Sequence, residues 1–122
     1  MRGWIEGLSL LAVFALSTAV GAAPPEGVTA EKPFAHSVRP RQIAEECFRL
    51  PAGKTIGYAF ESSAPVDFNI HYHAGKDVVY PIKSDQVRQA ADRFTAPSDQ
   101  EFCLMWTNAT LEMVTIKGRL HP

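Results

Sequence analysis

The stretch DFNIHYH, Asp67 to His73, alternates polar and apolar side chains without a break. Phe68, Ile70 and Tyr72 fall on one parity, and Asp67, Asn69, His71 and His73 fall on the other. A β-strand sends successive side chains to opposite faces, so this stretch predicts a half-buried strand with two histidines on its open side. The same two-residue period recurs on both sides of it. Ile56, Tyr58 and Phe60 share a parity in Lys54 to Ser62, as do Phe102, Leu104 and Trp106 in Gln100 to Thr107.

Turn signals separate these runs. Pro51-Ala52-Gly53 follows Ala44 to Leu50, SSAP (residues 62–65) precedes Val66, and Ala74-Gly75-Lys76-Asp77 reads as a hairpin turn into Val78 to Lys83. Pro81 lacks the N–H that a central ladder needs, so its segment is expected at a sheet edge or at a bulge. Asp85 to Phe94 has helix-compatible composition and a thin apolar face of Val87 and Phe94, so its own residues leave it ambiguous between helix and strand. TNAT (residues 107–110) turns the chain into a last run, Leu111 to Leu120. The expectation is an all-β fold: one antiparallel β-sandwich of about seven short strands.

The chain has 122 residues, enough for one domain. Arg2, the apolar run Leu8 to Val20 and the small residues around Gly21 and Ala22 have the three parts of a secretory signal, with cleavage expected after Gly21 or Ala22. The apolar run is shorter than the roughly 20 residues a membrane span needs, so no stable insertion is expected after cleavage. The signal is short and alanine-rich in the bacterial manner, placing the product in the periplasm or outside the cell. Residues 1–22 are thus signal, 23–42 an extended proline-rich arm in which His36 is solvated, and 43–122 the β domain. The formal net charge of −1, with both signs interspersed, argues against nucleic-acid binding, which calls for a basic patch.

Two cysteines, Cys47 and Cys103, lie in the exported part without a CxxC pattern. An oxidising compartment favours one structural disulfide between them; free thiols for redox chemistry or a soft metal are the alternative.

Three features in order resemble the GOLD domain, the small β-sandwich in the lumenal part of early-secretory cargo receptors. They are EECFRLPAG around Cys47, the strand VDFNI followed by a glycine turn, and EFCLMWTN carrying Cys103 and ending at Asn108. The resemblance spans roughly residues 44–120 and implies that Cys47 and Cys103 are bridged and that Asp85 to Phe94 is strand. Those receptors continue into a coiled coil, a membrane span and a cytoplasmic tail. The sequence stops at Pro122 without them, so a role in protein–protein contact is expected to carry over and the trafficking role is not.

No nucleophile elbow, HExxH or phosphate loop is present, and no catalytic residue is expected. Glu45 and Glu46, adjacent in a strand, point to opposite faces. The remaining candidates for chemistry are the histidines. Positions i and i+2 of a strand lie about 6.6–7 Å apart on one face, within reach of a shared copper or zinc ion, and Met105 adds a thioether if the sheet brings it near. Two readings follow. In the first, the chain is an exported non-enzymatic module that meets an unidentified envelope protein through Asp67, Asn69, His71 and His73, or through the edge near Pro81, and needs no cofactor. In the second, it binds a transition metal through His71, His73 and Met105. Trp106, Tyr58, Phe60, Phe68 and Tyr80 read as core rather than as a ligand groove.

Overall fold

The computed structural model describes residues 12, 13, 15 and 27–122. Apart from those three positions, the expected signal and its cleavage point lie outside the described residues. Six strands follow in order: β1 (Lys32–Val38), β2 (Ile43–Leu50), β3 (Thr55–Ala74), β4 (Asp77–Thr95), β5 (Gln100–Thr107) and β6 (Val114–His121). Every pairing between them is antiparallel. The fold is the all-β, antiparallel sandwich expected, with one disulfide.

The strand count is lower than seven because two expected breaks are bulges. β3 runs through SSAP, spending Ser62 to Pro65 between the pairs Glu61–Gln89 and Val66–Val87, where β4 spends only Arg88. Ser62 Oγ donates to the carbonyl of Ala64 at 2.7 Å, and Ser63 Oγ accepts from the Thr115 N–H at 3.0 Å, so hydroxyls replace ladder partners at the bend. A second bulge sets Asp67 against Asp85 and Gln86, which joins the two runs expected on either side of Ser84 into one strand. Gln86 takes a left-handed φ of 55°, and Asp67 Oδ1 holds it by accepting from its backbone N–H at 3.0 Å and from its Nε2 at 2.9 Å. The third bulge sets His71 against Tyr80 and Pro81, on an edge strand, as the missing proline N–H requires.

β3 organises the sheet. β4 runs along one edge of it for nearly its whole length, while the other edge pairs with β6 over Gly57–Ser62 and with β5 over Asp67–His71. β1 lies outside β6, and β2 outside β5. Two wings therefore diverge from one bent strand and pack their apolar faces together. Trp106 of the β5 wing meets Phe34 of the β1 wing at a centroid distance of 5.2 Å, and Phe60 and Phe68 at 5.4 and 5.8 Å. A second cluster gathers Phe48, Tyr72 and Phe94 around Phe102 at 6.1, 5.4 and 5.0 Å. The aromatic set is core, as expected, except for Tyr80, which is exposed.

Within the expected arm of residues 23–42, the described part, 27–42, departs from an extended arm. β1 pairs with β6 over its full length, Gly27 bridges Arg49, and the sheet begins at Lys32 rather than near residue 43. Proline spacing concealed Phe34 and Val38, which share a parity and are both buried. His36 is half-buried rather than solvated. Its ring lies 5.8 Å from that of Trp106, and its Nε2 is 2.8 Å from Glu46 Oε1, across the seam between β1 and β2. Asn108 is fully buried in the following turn. Its Nδ2 donates to the carbonyls of Val38 and Glu112 at 2.9 and 2.7 Å, and its Oδ1 accepts from the Thr110 N–H at 2.9 Å. Asn108 begins the pattern Asn108-Ala109-Thr110, formally a glycosylation sequon, and the structure uses it as a turn residue whose amide is fully engaged.

Gly118 sits where Phe34 and the β3 backbone crowd it: a Cβ there would lie 2.2 Å from the Ala59 carbonyl oxygen and 2.6 Å from Phe34 Cζ. A Cβ on Gly27 would meet its nearest atom at 3.6 Å. Gly118→Ala should therefore destabilise the fold by about 2–3 kcal/mol, as overpacking does, while Gly27→Ala changes it by less than about 0.5 kcal/mol. Urea unfolding of both variants checks this, and equal effects would contradict the packing described.

Candidate functional site

The parity that carries Asp67, Asn69, His71 and His73 forms the outer face of the β2–β5–β3 wing. Register fixes its neighbours. Glu45 of β2 stands opposite Met105 of β5, which stands opposite Asn69 of β3, which stands opposite Lys83 of β4. One row along, Cys47, Cys103 and His71 lie side by side. The disulfide thus ties an edge strand to its neighbour within one wing. Its sequence separation is 56 residues, for which the chain-entropy account gives about 4 kcal/mol.

This face is less open than strand alternation suggested. Asn69 and His71 are only 7% and 4% exposed, while His73 is exposed. Tyr80, from the third bulge, places its ring 5.8 Å from that of His71, and Lys83 Nζ lies 5.7 Å from the Tyr80 centroid. Asp67 is engaged by Gln86 and offers this face no free carboxylate oxygen at Oδ1. Met105 is half-buried between Glu45 and Asn69.

His71 is the centre of the arrangement. Its Nδ1 lies 2.8 Å from Asn69 Oδ1, and its Nε2 lies 3.4 Å from Glu45 Oε1. The His73 ring stands nearly perpendicular to it, at 5.4 Å between centroids. Burial pushes the His71 pKa below its ordinary value of 6.5; Glu45 acts against this and His73 adds to it. The neutral ring is the favoured form. With Nδ1–H donated to Asn69, the Nε2 lone pair then faces the Glu45 carboxylate. Two acceptors face each other with room for a cation between them.

His71, His73 and Met105 stand out in the sequence as candidates, whereas Glu45 does not. No spacing along the chain links Glu45 to His71; only the β2–β5–β3 register does. The opposite facing of Glu45 and Glu46 was legible, and it holds: Glu46 turns inward to His36 and Lys32, at 2.8 and 3.5 Å. On the other wing a groove of about 780 Å³ is lined by Ala59, Glu61, Ala91, Lys117 and Arg119, among others, with neither histidine nor cysteine.

No family model matches the sequence, and no curated protein matches it. Solved structures share the fold. The pre-peptidase C-terminal domain of collagenase from Bacillus anthracis is similar at a TM-score of 0.58 and 10% identity, over 82% of this chain and 99% of that one. The Yersinia pseudotuberculosis-derived mitogen is similar at 0.54 and 10%, over 75% and 84%. Aeromonas hydrophila PliG, a periplasmic inhibitor of g-type lysozyme, is similar at 0.55 and 11%, over 80% and 95%. The chain has the form of small bacterial β-sandwich-like domains.

The depressed pKa of His71 has a defined sign. As the pH falls, the unfolded chain takes up its proton first, so the stability present above about 6.5 is lost as the pH falls through the lower folded-state value. Glu45→Gln removes the opposing influence, so it should lower the His71 midpoint further and deepen the acid loss. Proton NMR titration of His71 in chelator-treated protein reads both midpoints; a higher midpoint in the variant would contradict this electrostatic picture.

Proposed function

We propose that the chain is an exported, non-enzymatic binding module that meets a protein partner of the cell envelope through the β3–β4 hairpin end. One observation carries this reading. Val78, Val79 and Tyr80, consecutive on β4, are 39%, 37% and 46% exposed. Val78 pairs with His73 of the outer parity and Val79 with Tyr72 of the inner one, so apolar side chains stay open on both sides of this strand end, as a protruding contact element presents them.

The mode of contact follows from the strand. β4 is an edge 19 residues long, an invitation to pairing by another chain. Pro81, three bulges and charges at Lys83, Arg88, Asp92 and Arg93 discourage such pairing. Contact therefore comes through the Val78–Tyr80 side chains and the adjoining His73, rather than by strand addition.

Other features support the reading. A bridged cysteine pair belongs to an oxidising compartment, in keeping with export. Among the described residues no helix is long and apolar enough to cross a membrane. Neither cysteine is free to act as a nucleophile, and the nearest partner of the buried His71 is an amide rather than a hydroxyl. A GOLD-like form is the finer description of the sandwich that we favour, on the bridged Cys47–Cys103 pair and the order of its strands. The neighbour that inhibits a lysozyme acts on another protein, which is the class of role proposed here.

The test is affinity capture from a periplasmic extract with the oxidised mature protein and with the variant Val79→Asp/Tyr80→Ser. These exposed positions can change without disturbing the core. A specific partner should be retained by the wild type and lost by the variant, with affinity at least ~10-fold weaker, as for a hot-spot pair. Equal capture by both proteins, or none above background, would count against the reading.

A further inference from the structure

We infer that Glu45, His71 and His73 form a binding site for a single divalent transition-metal ion of the zinc–copper class, on the outer face of the β2–β5–β3 wing. The site shares His73 with the docking surface proposed for the hairpin end, but metal binding is read without a partner, so the failure of either proposal is distinguishable from that of the other.

The distance between the His71 and Glu45 donor atoms bears on whether they form a simple ion pair or flank a cation. A charge-assisted hydrogen bond from imidazole to carboxylate closes to about 2.7–2.9 Å. His71 Nε2 and Glu45 Oε1 are 3.4 Å apart. Around a tetrahedral ion with bonds of about 2.0–2.1 Å, neighbouring donors lie about 3.3–3.4 Å apart. The gap is too long for the hydrogen bond and fits the edge of that tetrahedron. The exposed ring of His73 meets that of His71 edge to face at 5.4 Å between centroids, which makes it the neighbouring imidazole on this face. His73 does not belong to the set of ligand atoms within 4.8 Å of one another that contains Glu45 and His71; it is exposed, and its side chain has to turn for a nitrogen to join them.

The surroundings suit a ligand. Asn69 Oδ1 accepts from His71 Nδ1–H at 2.8 Å, which fixes the ring and leaves Nε2 as the donor, the support a metal-binding histidine needs. The nearest sulfur, Cys103 Sγ, lies within 4.8 Å of both donor atoms but is bonded to Cys47, so it contributes no thiolate. Two nitrogens and one carboxylate, with water completing the shell, form a set of intermediate softness that accepts Zn(II) and Cu(II). Met105, the thioether considered from sequence, stands opposite Glu45 in its own row and is left out of the donor set proposed here.

The test is isothermal titration of the oxidised mature protein with Zn(II) and with Cu(II), beside Glu45→Gln, His73→Ala and Met105→Leu. X-ray absorption of the loaded wild type reads the donor atoms directly. Expected are one equivalent of ion bound, at least ~10-fold weaker binding in Glu45→Gln and in His73→Ala, no change in Met105→Leu, and a shell of nitrogen and oxygen only. Each variant is checked for native proton NMR dispersion; should one lose it, Glu45→Asp and His73→Gln replace it under the same criterion. Absence of binding by the wild type, undiminished binding by Glu45→Gln, or sulfur in the shell would each overturn the site.

Discussion

One strand serves both layers of this protein. β3 pairs with β6 before its bend at residues 62–65 and with β5 after it, while β4 follows it through both halves. In a sandwich of two separate sheets, cohesion rests on side chains alone. Here the two wings also share a continuous backbone ladder, so neither can move away without breaking hydrogen bonds in the other's spine. The aromatic packing around Trp106 and Phe102 depends on that geometry, because the bend sets the angle at which the wings close. Gly118 lets Phe34 lie against the sheet, and the His36–Glu46 pair joins the edge strands β1 and β2 where no ladder connects them.

The disulfide has a local role beyond its effect on the unfolded chain. Apart from the single Gly27–Arg49 bridge, the backbone ladder of β2 is with β5 alone. A slip of one residue in that pairing would send Glu45 to the inner face and Glu46 outward. The Cys47–Cys103 bond forbids the slip, and it does so in the row that also contains His71. A stabilising crosslink of about 4 kcal/mol is a large share of the 5–15 kcal/mol by which domains are typically stable. The same bond sets the distance between a carboxylate on one strand and an imidazole two strands away. Stability and site geometry here have a common origin.

What the sequence made legible follows from range. Two-residue alternation identified the strand at Asp67–His73, the core aromatics and the sandwich, because a strand's pleat is a property of adjacent residues. The placement of Pro81 at a bulge followed from one missing N–H. Bulges at SSAP and at Asp85–Gln86 were read as ends of strands, since a bulge and a turn use the same residues and differ only in what lies opposite. β1 was read as an arm because Pro33 and Pro40 punctuate it, whereas its pairing with β6 joins segments from the two ends of the chain. Burial of Asn69 and His71 was hidden for a related reason: the residues covering them, Tyr80 and Glu45, come from other strands. The role of Glu45 depends on two registers at once, and no local pattern carries that information.

The shared strand makes a claim about cooperativity that native-state hydrogen exchange addresses directly. The measurement follows the amides of Tyr58 and Phe60, before the bend, and of Phe68 and Ile70, beyond it, in the oxidised protein under increasing denaturant. If β3 binds the wings into one unit, all four open with the same free energy and the same denaturant dependence, equal to those of global unfolding. Should one pair open at a markedly lower free energy while the other stays closed, the wings are separate sheets in contact, and the bend in β3 is not what holds them together.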